Sequence, residues 1–367
     1  MILDEVALTF VPGLGTRGIS HLTDIYGNAE AIYSASEHHL ATFAELRGDI
    51  AASIAQKAGY SDAERELCYC DKHNITATSY HDALYPALLR EVADRPHIVY
   101  SLGDIGALQS EHILSVVGTR RISPYGQSAC VRLIEELAEM FPDLVVVSGL
   151  AFGADATAHH AALAAKVKTV AVIPSKLPDI TPAQHKRLAE DIVEQGGAII
   201  SELNSQTKQN GAYYIPRNRI IAAVAEGTLV VESPANGGSL STARAADGYS
   251  RAVLAIPGRI TDSRSEGTNH LIKTNVAQLV TSASDIASTL GWERADAMPE
   301  KMHFAPHKFT PKEEIVYNSI ADNSDGLTID SIADKTALSV SEVSAILLNM
   351  ELSGLARQLP GRRYVIC

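Results

Sequence analysis

Several common signatures of function are missing from this 367-residue sequence. It has four cysteines, and the only close pair, Cys68-Tyr69-Cys70, lacks the spacing of a zinc site or a redox motif. Reduced structural thiols are therefore expected. No stretch approaches eighteen consecutive apolar residues, and the opening MILDEVALTFVPG has no basic segment followed by a long apolar one. These absences predict a cytoplasmic protein without membrane spans. Positive charge is also in deficit: 31 Lys and Arg stand against 43 Asp and Glu, a formal charge of −12. That excludes a protein that coats nucleic acid indiscriminately, but not one with a local basic cleft. The dinucleotide fingerprint, the Walker loop, the Gly-Xaa-Ser-Xaa-Gly elbow and a paired-His metal motif are all absent. His159 and His160 are adjacent, so on a helix they diverge by roughly 100° and cannot chelate together. They read as surface or supporting residues, and neither a metal nor a cofactor is expected.

What is present fits a globular chain: 46% hydrophobic and 20% charged residues, too long for one ordinary domain. Residues 1–66 read as short helices. VPGLGTRGISHLTDIYG opens with a Gly-Xaa-Gly turn and continues at helical spacing through Ile19, Leu22 and Ile25. Such turns either face a phosphate, as in helix-hairpin-helix or SAM-like modules, or simply join helices. Residues 67–291 form an α/β pattern. HILSVVGT, DLVVVSGL, KTVAVIP, GAIISEL, GTLVVES, RAVLAIP and AQLVTS are short apolar runs separated by helical segments. This predicts an extended Rossmann-like, doubly wound, mainly parallel sheet covered on both faces, with NITATSY and HIVYSLG as extra strands. WERADAMPEKMHFAPHK, residues 292–308, reads as a linker. Residues 309–367 read as three helices and two short strands around Pro360-Gly361, the order of a winged helix.

Ligands of such sheets bind beyond the carboxyl ends of the strands. GTRRISPYG, SGLAFGADATAHH and SPANGGSLSTAR occupy those positions and offer Gly, Ser and Thr at helix starts. Arg120 and Arg121 follow the first main strand. Between residues 208 and 264 seven basic residues (Lys208, Arg217, Arg219, Arg244, Arg251, Arg259 and Arg264) outnumber four acids by three. In YYIPRNRIIAAV, two tyrosines and an Arg-Asn-Arg triplet precede an apolar run. Either these arginines pair internally with Glu202 or Glu226, or they meet an anionic ligand, and Arg219, deeper in the apolar run, is the more structural of the two. A cationic track beside aromatic faces suits single-stranded nucleic acid. The recognition helix expected in the winged module, SEVSAILLNMELSG, has no Lys or Arg, and residues 309–367 hold five basic against eight acidic residues. A protein-binding or internal packing role is expected of it.

Nine segments in order, YPALL, VVGTR, SPYG, VVSGLAFGADATAHHAAL, GGAIISE, PRNRIIA, VVESPANGGSLSTARAA, AIPG and EGTNHLI, resemble the DNA-processing proteins of the DprA/Smf family. The resemblance implies a non-enzymatic protein that binds single-stranded DNA, forms a homodimer and loads RecA recombinase during natural transformation. It implies a pocket of Gly118, Thr119 and Arg120 with Arg217, Asn218 and Arg219, to which Arg121, Lys208, Tyr214, Gly238, Ser239, Thr242 and Arg244 are added as candidates. It implies a dimer interface near His270, Ile272 and Leu279. Two departures are Lys176, which could reinforce the pocket or cap a helix, and Ala154, where a larger residue is usual. The Rossmann-like nucleotide phosphoribohydrolases of the lysine-decarboxylase-like group are the alternative. Aligning NGGSLSTAR with their catalytic loop puts Arg244 where a glutamate would stand, and arginine cannot act as a general base.

Overall fold

The computed structural model describes residues 2–293, 309–321, 326–352, 355–359 and 363–366. Most of the expected linker and the Pro360-Gly361 turn lie outside the described residues. Two compact units emerge, residues 1–294 and 295–367.

The first unit opens with six helices: α1 (Ile2–Thr9), α2 (Thr16–Tyr26), α3 (Ala29–Ser34), α4 (Glu37–Thr42), α5 (Gly48–Ala55) and α6 (Tyr60–Lys72). Next come β1 (Thr76–Ser79), α7 (Ala87–Arg90) and β2 (Ile98–Gly103). Strands and helices then alternate: β3 (Ile113–Val117), α8 (Pro124–Met140), β4 (Val145–Ser148), α9 (Ala154–Ala164), β5 (Lys168–Val172), α10 (Lys186–Glu194) and β6 (Ala198–Ser201). The alternation continues through α11 (Tyr214–Ala223), β7 (Gly227–Val230), α12 (Ser239–Gly248), β8 (Ala252–Ala255), α13 (Glu266–Lys273), β9 (Gln278–Leu279) and α14 (Ala283–Leu290).

Among the described residues the strands form one nine-stranded sheet in the order β1-β2-β6-β5-β4-β3-β7-β8-β9. The seven strands from β6 to β9 in that order run parallel, and β1 and β2 join antiparallel at one edge. The chain winds outward from β3 through β4 and β5 to β6, then returns to place β7 on the other side of β3. The topological switch point therefore lies between β3 and β7.

Side-chain alternation along the strands explains the layers. Ile113 and Val117 of β3 face a cluster that includes Ile220 and Ile221 of α11 and Ala243 of α12, while Leu114 and Val116 face Leu133 and Ile134 of α8. Strands with apolar residues on both faces need a cover on each side. On the opposite half of the sheet, Ala171, Ile173 and Ile199 pack into the same cluster as Leu8, Leu22, Ile32 and Ile54 of the first helices.

The expected boundary at residue 66 falls inside α6. The first helices do not enclose a core of their own. Glu66 is buried and its carboxylate accepts from the Ser205 N–H at 2.9 Å and the Ser205 hydroxyl at 2.5 Å. At the other end, Trp292 was expected to begin the linker. It instead packs against Phe141 and His112, with ring centroids at 5.3 and 5.0 Å, and its indole N–H donates to Glu226.

The second unit contains α15 (Pro311–Ala321), β10 (Leu327–Thr328), α16 (Ile329–Thr336), α17 (Val340–Leu352), β11 (Ala356–Leu359) and β12 (Arg363–Ile366). It is a winged helix, with the small strand β10, missed by sequence reasoning, paired to β12. Val316, Ile332, Val343 and Leu347 form its core.

Among the described residues no helix is long and apolar enough to cross a membrane.

Candidate nucleic-acid interface

The loops after β3 and β7 meet across the switch point and wall a cleft of about 320 Å³. Gly118 and Thr119 leave β3 in close contact with the other loop: the Thr119 N–H donates to the Glu232 carbonyl at 2.7 Å. A Cβ on Gly118 would stand 2.6 Å from that of Ala154, so no side chain fits at Gly118 without movement. The Glu232 carboxylate is buried and accepts from the Ser123 N–H at 2.8 Å and the Ser123 hydroxyl at 2.5 Å. Ser123 in turn caps α8 by accepting from the Gly126 N–H. The segment 118–123 is thus fixed at both ends by the β7 loop.

Arg217 and Asn218 reach the cleft from α11. The family resemblance implies that the Arg-Asn-Arg triplet is a loop, and the structure differs. The triplet lies inside the helix, and Pro216 is tolerated because it sits in the first turn, where its missing N–H costs little. Two residues of helix rotate about 200°, so Arg217 and Arg219 point to opposite sides.

Arg217 is 5% exposed. Its Nη1 donates to the Val172 carbonyl at 2.6 Å, while Nε, also buried, has no hydrogen-bond partner. It faces Asp155 across Gly149 without an ion pair, and an added Cβ there would lie 1.9 Å from the guanidinium and 2.7 Å from the carboxylate. Burial pushes the Arg217 guanidinium down to about 10, against the pull of Asp155, so it stays charged at neutral pH. Burial raises the Asp155 carboxyl above its ordinary value, and the Arg217 charge opposes that rise.

Arg120 is exposed and hangs over the cleft, its guanidinium carbon 5.1 Å from the centroid of the Tyr214 ring. Among the described residues no carboxylate pairs with it. Gly238, Ser239 and Thr242, at and after the start of α12, complete the wall. Asn218 locks α11 to α12 by donating to the Ser241 hydroxyl at 2.9 Å.

The cleft therefore unites Gly118, Thr119, Arg120, Tyr214, Arg217, Asn218, Gly238, Ser239 and Thr242 of the expected set. Four candidates lie elsewhere. Arg219 is held by Glu202, with Asp94 at 3.8 Å, and does not line the cleft. Arg121 faces a neighbouring groove, Lys208 is exposed on the loop before α11, and Arg244 is exposed on α12. The counted local excess of charge is also smaller in effect than it reads. Arg251 pairs with Glu91 at 2.6 Å and Arg264 with Asp262 at 3.0 Å.

Lys176 neither enters the cleft nor caps a helix. Its ammonium donates to the Ser205 carbonyl at 3.0 Å. His159, expected at the surface or in support, is fully buried, with Nδ1 2.7 Å from the Thr169 hydroxyl, and burial pushes its pKa down to about 3. His160 is exposed. Sequence reasoning missed Asp155 as the charge opposing Arg217 and gave no cause to expect Arg120 over Tyr214.

At the expected interface, His270 is exposed, Ile272 is half-buried and Leu279, on edge strand β9, is 41% exposed. Among the described residues no group of three or more His, Cys, Asp or Glu side chains is arranged to hold a metal ion.

Residues 76–291 match the family model for DNA recombination-mediator protein A, and residues 305–362 match that for the DprA winged helix domain. The chain is 35% identical to Protein Smf of Escherichia coli strain K12, across 81% of this chain and 79% of that one. It is 38% identical to the DNA processing protein DprA of Streptococcus pneumoniae, across 66% of this chain and 86% of that one. The X-ray structure of DprA from S. pneumoniae superposes with a TM-score of 0.66 at 30% identity, covering 78% of this chain and 95% of the other. DNA processing protein A from Helicobacter pylori, solved to describe its single-stranded DNA binding mode, superposes with a TM-score of 0.53 at 27% identity, covering 60% and 97%. On a family match through the whole parallel sheet and relatives aligned over most of their length, this chain belongs to the DprA/Smf family of DNA recombination-mediator proteins.

Proposed function

We propose that the cleft between β3 and β7 binds single-stranded DNA, and that the protein is a non-enzymatic mediator that loads RecA recombinase onto the bound strand during DNA uptake and recombination. The observation that carries this reading is the pairing of an unneutralised Arg120 with the Tyr214 ring, directly beside a buried Arg217 whose Nε has no partner. A phosphate satisfies the guanidiniums, and a base stacks on the aromatic face. The single-stranded DNA binding mode described for the H. pylori relative supports the choice of ligand.

The two carboxylates nearest the cleft argue for binding over hydrolysis. Glu232 is occupied by Ser123, and Asp155 accepts from the Ala151 N–H at 3.3 Å while facing Arg217. Neither stands free as a general base of the kind a phosphoribohydrolase requires. We place the protein in the cytoplasm, where RecA acts, as a homodimer joined near His270, Ile272 and Leu279. Lys208 and Arg244 stay in the proposal as contributors to the field around the cleft, and Arg121, in the adjoining groove, as a contact for strands long enough to leave it.

The test is a fluorescence-anisotropy titration of a labelled single strand and of its duplex at two salt concentrations. Tighter binding of the single strand, weakening as salt rises through loss of counterion release, is expected. Equal affinity for both forms, or none for either, overturns the reading. Faster RecA filament growth on single strands in the presence of the protein tests the loading step separately.

A further inference from the structure

The geometry points to a second phosphate-binding subsite, formed by Arg121 and Arg259, that carries the strand out of the cleft along the carboxyl edge of the sheet toward β8. This rests on the single-strand reading of the cleft and extends it to residues outside the cleft wall. A shallow groove of about 700 Å³ begins at Thr119 and Pro234, which also line the cleft, and runs past Arg121, Arg259 and Arg264. It continues into a depression of about 520 Å³ that shares Arg259, Asp262 and Arg264 and ends at Tyr125. The three hollows form one path.

Its charge is positive after its own acid is counted. Asp262 is bonded to Arg264 through both carboxylate oxygens, each at 3.0 Å. Among the described residues Arg121 and Arg259 have no ion-pair partner, which leaves two guanidiniums free. Spaced along a groove that opens from an anion-binding cleft, they match the repeating charge of a phosphodiester strand.

The groove is also built. Asn269 pins the Arg259 loop by exchanging two hydrogen bonds with Gly258, each at 3.1 Å. The Gly267 N–H donates to the Ser233 carbonyl at 2.8 Å, tying the start of α13 to the β7 loop. The Tyr125 hydroxyl donates to the Pro257 carbonyl at 2.8 Å, while its ring, in a residue 54% exposed, stays open at the far end. Ile260 beside Arg259 is 94% exposed, an apolar contact available to an unstacked base.

The experiment is an anisotropy ladder of labelled oligothymidylates from about 4 to about 16 nucleotides, lengths that single-strand sites span. It uses the full chain, Arg259→Ala, Arg121→Ala/Arg259→Ala and Asp262→Asn. The unsubstituted protein is expected to gain affinity along the ladder. The double variant keeps the affinity for the shortest bound strand and loses most of the gain, with the salt slope on the longest strand reduced by about 0.7 per arginine removed. Asp262→Asn moves the long-strand affinity upward, a direction that misfolding does not imitate.

A double variant that matches the unsubstituted protein at every length overturns the subsite, as does an equal loss at every length. In both cases the cleft reading stands. An unsubstituted protein that binds no strand overturns both.

Discussion

The guanidinium of Arg120 lies over the ring of Tyr214, although 94 positions separate them in sequence and one follows β3 while the other opens α11. The contact holds a cation and an aromatic face ready side by side. Removing the ring (Tyr214→Ala) is expected to cost about 1–3 kcal/mol of binding, the range for one stacked base, and Tyr214→Phe little. Arg120→Ala should weaken binding at least tenfold and flatten its salt dependence, with the melting temperature unchanged, because the side chain is exposed. Anisotropy and calorimetry check both, and unaltered affinity in Arg120→Ala would remove the cleft from the mechanism.

Arg217 behaves differently because it is buried. Arg217→Ala leaves the Val172 carbonyl without its donor and Asp155 enclosed without the opposing charge, a loss of about 1–3 kcal/mol. Urea unfolding should show that loss, with part of it recovered in Arg217→Ala/Asp155→Ala. Oligonucleotide affinity should stay lost in the recovered double variant.

Arg219 serves the fold. Held by Glu202 and near Asp94 on a side chain 19% exposed, it should cost about 2–3 kcal/mol of stability when changed to Ala, somewhat less than a fully enclosed pair. At a temperature where the variant is folded, its salt slope for single strands should equal that of the unsubstituted protein. A reduced slope would return Arg219 to the binding set.

The proposed twofold contact predicts that Leu279→Glu shifts dimer to monomer in light scattering without unfolding, since Leu279 is 41% exposed on the sheet edge. Long strands, which bridge two clefts in a dimer, should lose more affinity than short ones. A dimer that persists in Leu279→Glu places the contact elsewhere.

Glu5 links the first helices to the sheet through His97, whose Nε2 lies 2.6 Å from its carboxylate. Burial raises the Glu5 pKa, but the hydrogen bond to His97 and the nearby His81 outweigh it, and the net direction is downward from 4.5. A carboxylate with a depressed folded pKa stabilises above its unfolded pKa, and that stability fades as pH falls through the lower folded value. Stability measured from pH 6 downward should therefore drop less steeply below about pH 4.5 in Glu5→Gln. An acid limb of equal slope in both proteins would contradict this.

The sheet was legible because each strand is a short apolar run bounded by turn residues, a pattern set by burial on two faces. The cleft was legible in part. The Gly-Thr-Arg and Gly-Gly-Ser loops follow strands, and that position is enough to place them at the carboxyl edge. The fate of the two arginines in PRNR was legible in part: Arg219, deeper in the apolar run, read as the more structural of the two, and it is the one that Glu202 holds. Once the helix is seen, its rotation alone separates Arg217 from Arg219. The partners of buried charges were legible in part: Glu202 was one of the two carboxylates weighed for the arginines and does hold Arg219, whereas Asp94 and Asp155 come from other elements and no local spacing marks them. His159 looked like a surface residue because it neighbours His160, and only the Thr169 hydroxyl on β5 explains its burial. Trp292 sat in polar sequence, so its place against Phe141 could not be read from its neighbours.

The adjacency of β3 and β7 has a consequence for synthesis at the ribosome. Residues 113–117 pair with 227–230, so one wall of the cleft emerges more than a hundred residues before the other. A nascent chain that has not yet released β7 has no closed anion pocket, and a fragment truncated before it would lack the Glu232 tether on Ser123. If the cleft is the proposed binding site, capture of nucleic acid waits until the parallel sheet is nearly whole.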